Sequence, residues 1–83
     1  MKFNRVSQNT PNAMRLQGIG VVQGTPAGEL KPGDTIMWNY GYKSVVVELL
    51  KETPKTVTIR SEVDGTYYER KMGKTRLVCV LIP

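Results

Sequence analysis

Eighty-three residues carry twelve basic and seven acidic side chains, a net charge of +5 and no histidine. A chain of this length supports one core, and no apolar run approaches the ~20 residues that a membrane-spanning helix needs. Without histidine, and with Cys79 alone, the composition excludes Ser-His and Cys-His nucleophiles, the usual zinc sites and an internal disulfide.

These exclusions set the expected class. The chain reads as a non-enzymatic binding module with no catalytic residues, no metal ligands, no cofactor and no small-molecule substrate. The first twelve residues lack the apolar stretch of a secretory signal, and one cysteine suits a reducing compartment, so a cytoplasmic location is expected and no membrane contact.

Residues 1–12 are polar around Pro11 and read as a flexible basic arm, with Phe3 and Val6 available to anchor it. Residues 13–83 read as a single β domain. Residues 13–23 alternate as a first strand, with Met14, Leu16 and Val22 on one side and Arg15 and Gln17 on the other. Gly18 and Gly20 are read as places where that strand bends. They do not make a phosphate loop, because Gly24 falls one place late for the dinucleotide pattern and no helix follows to hold an anion.

Residues 24–28 form a loop rich in breakers, and Pro32-Gly33-Asp34 makes a turn. Residues 35–40 read as a strand in which Trp38 and Tyr40 share a face with Ile36, so at least one ring is expected in the core. After a turn at Gly41, residues 43–50 form a strand with Val45, Val47 and Leu49 on one face. Val46, Glu48 and Leu50 occupy the other, which predicts a strand covered on both sides. Residues 76–82 close the chain as an apolar strand in which Cys79 is a small buried side chain without activation.

Residues 56–72 carry the strongest signal. Asp64-Gly65 between two β-rich runs demands a two-residue turn with both residues at positive φ. That turn fixes the register: Val63 opposite Thr66, Glu62 opposite Tyr67, Ser61 opposite Tyr68, Arg60 opposite Glu69 and Ile59 opposite Arg70. One face then holds Val57, Ile59, Val63, Tyr68 and Met72. The other holds Thr58, Arg60, Glu62, Tyr67, Glu69 and Lys71, with Arg60 and Glu69 paired across the strands. Arg70 is out of pattern on the apolar face, and its guanidinium is expected to snorkel to water.

Turn signals recur at short intervals and no long 3.6-residue period appears, so the fold is expected to be all-β. The run Leu30-Lys31-Pro32-Gly33-Asp34-Thr35-Ile36, followed by Gly41 and Val45-Val46-Val47, resembles the opening strands of SH3-like small β-barrels. That resemblance covers residues 30–82. It implies an antiparallel barrel of five or six strands, of a kind that binds RNA, DNA, peptides or partner domains. It is faintly similar to the KOW-type element as well, but lacks that motif's second glycine. The make-up of the chain is also similar in style to small bacteriophage or prophage proteins.

Charge supplies the functional expectation. All seven acids lie beyond residue 28, whereas Lys2, Arg5 and Arg15 precede it, and Arg70, Lys71, Lys74 and Arg76 form a second basic excess. These seven residues are the candidate phosphate contacts of a weak nucleic-acid-binding module, for DNA or RNA. Tyr42 and Tyr67 are candidate stacking rings. The competing expectation is a protein-interaction, structural or inhibitory module, phage-encoded and fitted to an acidic protein partner. Its support is the mixed-charge hairpin face and the edge strands of the sheet.

Overall fold

A computed structural model describes the whole chain, residues 1–83. It is a small all-β domain with two antiparallel sheets and two single-turn 3₁₀ segments, Ala27–Glu29 and Asn39–Gly41. The strands are β1 (Ala13–Leu16), β2 (Gly20–Gln23), β3 (Thr25–Pro26), β4 (Thr35–Met37), β5 (Lys43–Glu52), β6 (Thr56–Val63), β7 (Thr66–Gly73) and β8 (Leu77–Val80). β1 and β2 form a two-stranded sheet, and the rest form a six-stranded sheet in the order β3-β8-β4-β5-β6-β7. The arrangement is compatible with an SH3-like fold. The six-stranded sheet is open, with β3 and β7 as its edges, and is not closed into a barrel.

The hairpin β6–β7 has the register that its turn dictates, from Val63 opposite Thr66 to Val57 opposite Met72. Asp64 and Gly65 sit at φ 49 and 83, the positive values a two-residue turn requires. Glu62 reinforces the turn, its carboxylate accepting a hydrogen bond from the Gly65 amide at 2.7 Å. Val57, Ile59 and Met72 are buried, and Arg60 bridges to Glu69 at 3.7 Å and to Glu48 of β5 at 3.2 Å. Tyr68, expected on the core face, is 55 % exposed. It lies on the correct side of the strand, but β7 is an edge and the core does not extend beneath it.

Three local readings change. Residues 13–23 are not one bent strand: β1 turns back through residues 17–19 and pairs with β2 in a hairpin of its own. Residues 38–41 leave the sheet, since Trp38 is followed by the 3₁₀ turn and Tyr40 adopts φ 62. β5 loses strict alternation at two irregularities, between Val46 and Glu48 and between Leu49 and Lys51. An extra residue in a strand flips the side chains that follow it. Ser44 and Val46 face the core and Val45 and Val47 face outward; past the extra residue, Glu48 lies opposite Arg60 on the outer face and Leu49 opposite the buried Ile59, so β5 is covered on one side only.

Two apolar clusters hold the domain together. The larger joins Ile36, Val46, Val57, Ile59, Met72 and Val78 with Ala27 and Leu30, and Trp38 packs against it. The smaller joins Leu16 and Val22 of the short hairpin to Met37, Cys79 and Leu81. The second cluster fixes the short hairpin to the main sheet at β4 and β8. The arm is tied as well: Lys2 and Ile82 exchange main-chain hydrogen bonds at 2.8 and 2.7 Å, and Val6 donates to Val21 at 3.2 Å. No helix is long and apolar enough to cross a membrane.

Candidate functional site

Where the short hairpin meets the main sheet, a gap remains between β1, the 3₁₀ turn at Asn39–Gly41, the start of β8 and β7. It forms a groove of about 530 Å³ lined by Arg15, Arg70 and Arg76, by Trp38, Tyr40 and Tyr42, and by apolar side chains including Met14 and Leu77. No acidic residue lines it. None of its three arginines has a carboxylate partner, whereas Lys31, Arg60 and Lys74 are each paired with acids elsewhere. A concave surface with unpaired cations and no anions concentrates positive potential, and guanidinium forks match phosphate oxygens in pairs.

Trp38 is the structural centre of the groove. Its indole Nε1 donates to Ser44 Oγ at 2.9 Å, and its body packs on the larger apolar cluster. Arg70 does not simply reach for water: its Cζ lies 4.5 Å from the Trp38 ring centroid, a cation–π contact. The side chain that broke the alternation of β7 is thus held over the Trp38 ring. A guanidinium held in place loses less conformational freedom on meeting an anion. Beyond the Trp38–Arg70 pair lies a smaller hollow of about 240 Å³, bordered by Ser44, Ser61 and Tyr68.

Tyr40 and Tyr42 are 65 % and 72 % exposed at the groove's rim. Tyr40 is fastened there by the short hairpin. Its amide donates to the Gln17 carbonyl at 2.7 Å, and its hydroxyl donates to Gln17 Oε1 at 2.9 Å. In return the Gln17 amide donates to Asn39 Oδ1 at 2.9 Å. The ring covers Gly18, where an added Cβ would come within 2.8 Å of Tyr40 Cδ1. Gly18 is therefore required by close approach, beside its own φ of 77.

Of the nine positions singled out in the sequence, the groove gathers Arg15, Arg70, Arg76 and Tyr42. The others lie elsewhere. Lys71 and Tyr67 are on the outer face of the hairpin beside Glu62 and Glu69, and Lys74 is bound to Glu52 at 2.6 Å. Arg5 donates to the Ile19 carbonyl and lies over the Phe3 ring, its Cζ 5.5 Å from the centroid. Lys2 is exposed where the arm pairs with Ile82. The sequence reading missed Trp38 and Tyr40 as groove residues. Its available signal was the density of rings and turn formers in Trp38-Asn39-Tyr40-Gly41-Tyr42, which a continuous strand through residue 40 obscured.

Cys79 is buried, and desolvation raises its thiol pKa above the ordinary value, which keeps it neutral and unreactive. The chain matches no protein-family model, no curated protein and no solved structure.

Proposed function

We propose that this domain binds single-stranded nucleic acid, DNA or RNA, in the groove around Trp38. The observation that carries the reading is the combination there of three unpaired arginines, three aromatic rings and no carboxylate. Arg15, Arg70 and Arg76 contact phosphates, and the exposed faces of Tyr40 and Tyr42 stack on unpaired bases. Such stacking is worth about 1–3 kcal/mol per base. Neither phosphate contact nor ring stacking reads a base edge, so little sequence preference is expected. With about three phosphates neutralised, log K should fall with log salt at a slope near −2, using about 0.7 per phosphate for single strands.

Fluorescence anisotropy of labelled oligonucleotides at low salt tests the reading. Wild-type protein should bind single strands more tightly than duplex, and Arg70→Ala combined with Arg76→Ala should weaken binding about tenfold or more, at 1.5–3 kcal/mol for each charged hydrogen bond lost. Absence of affinity for any single strand, DNA or RNA, overturns it.

A second reading rests on the outer face of β5–β7, where Arg60 joins Glu48 and Glu69 beside exposed Val45 and Val47. Mixed charge with exposed aliphatic side chains suits a protein partner, as in an adaptor or inhibitor module of the kind phages encode. A partner protein retained on the immobilised domain after nuclease treatment, and lost when Val47 is made Lys, supports this reading.

A further inference from the structure

The two edges of the main sheet differ in kind. β3 is two residues long and contains Pro26, which blunts it. β7 has eight residues with no proline and no register irregularity, and Thr66 through Lys71 are all exposed. Long flat edges are templates for strand addition unless something covers or breaks them.

The hairpin turn determines which main-chain groups of β7 are free. A two-residue turn makes Val63 and Thr66 a hydrogen-bonded pair, so Thr66, Tyr68, Arg70 and Met72 direct their amides and carbonyls toward β6. The Lys74 amide, donating to the Lys55 carbonyl at 2.8 Å, has the phase this alternation requires. Tyr67, Glu69 and Lys71 therefore point theirs away from the sheet.

We infer that β7 pairs antiparallel with β7 of a second copy of this chain, about a two-fold axis at Arg70. Two registers satisfy the alternation while pairing seven of the eight residues of β7. An axis at Glu69 would set Glu69 directly against itself, a repulsive pair. An axis at Arg70 sets Glu69 opposite Lys71 twice, on the outer face, with each pair closed by two main-chain hydrogen bonds. Charge complementarity selects the second. Arg70 meets its mate at the axis, but each guanidinium is drawn over its own Trp38 rather than toward the other copy. The pairing stands apart from the nucleic-acid reading. If both hold, the two arginine-lined grooves lie on the same side of one continuous sheet.

Sedimentation equilibrium from micromolar to millimolar protein decides the matter, with circular dichroism of each variant to show that the fold is kept. Wild-type protein should dimerise. Glu69→Lys and Lys71→Glu should each weaken the dimer about tenfold or more, because two cross-strand pairs change sign. The double variant carrying both changes should restore it. Lys71→Glu leaves the Arg60–Glu69 bridge intact, so it separates pairing from any local damage. A wild-type monomer at millimolar concentration, or a dimer indifferent to the single charge reversals, overturns the inference.

Discussion

Tyr40 shows how a single residue couples two parts of this molecule. It occupies a left-handed backbone conformation that costs a non-glycine residue about 1–3 kcal/mol, offset here by its hydrogen bonds to Gln17 and its packing on Gly18. Gly18→Ala should therefore destabilise the domain by about 1–3 kcal/mol, as steric clash adds to the φ penalty. Oligonucleotide affinity should fall with it, since Tyr40 is displaced; a urea melt and an anisotropy titration on the same variant check both effects. Cys79 gives a second test at this scale. Its thiol should resist alkylation in the native protein and react fully after unfolding. Because burial raises its folded pKa, the unfolded chain loses its proton first, so the unfolded state binds fewer protons above about pH 8.5 and stability declines as pH rises further. Replacing Cys79 by Ala should remove that alkaline decline, as followed by thermal melts across pH.

At the scale of elements, the hairpin β6–β7 and the strand β5 make an instructive contrast. The hairpin was legible because its turn admits one loop length and one register, and every side chain then follows by alternation. Gly65 is needed at φ 83, so Gly65→Val should cost about 1–2 kcal/mol and loosen the register, detectable as lost amide protection at Glu62 and Tyr67. β5 was not legible in the same way. Its two irregularities come from how a long strand accommodates partners on both sides, and nothing in Lys43 to Glu52 marks where the extra residues fall. The short hairpin β1–β2 was hidden for a related reason: Gly18 and Gly20 signal a break in a strand, but bend and reversal share that signal.

At the scale of the whole molecule, charge is partitioned. The outer face of the main sheet neutralises itself through the Glu48–Arg60–Glu69 network, while the groove keeps its three arginines free. Removing Arg60 should therefore leave oligonucleotide binding nearly unchanged, with stability reduced by about 0–1 kcal/mol as for exposed ion pairs. The same titration that detects groove variants checks this, and a large loss of affinity in Arg60→Ala would move the interface to the outer face.

What the chain determined by itself was the set of local reversals and the alternation between them: Asp64-Gly65, Pro32-Gly33-Asp34, and strands whose apolar residues recur at every second place. These depend on backbone sterics and on contacts a few residues apart, so composition and order suffice. The groove was decided by the tertiary structure alone. Arg15, Trp38, Arg70 and Arg76 come from four separate segments, and they meet only because one cluster anchors the short hairpin to β4 and β8 while the sheet curves to bring β7 over Trp38. Contacts between distant segments follow from the volume and shape of the packed core, which no local pattern encodes.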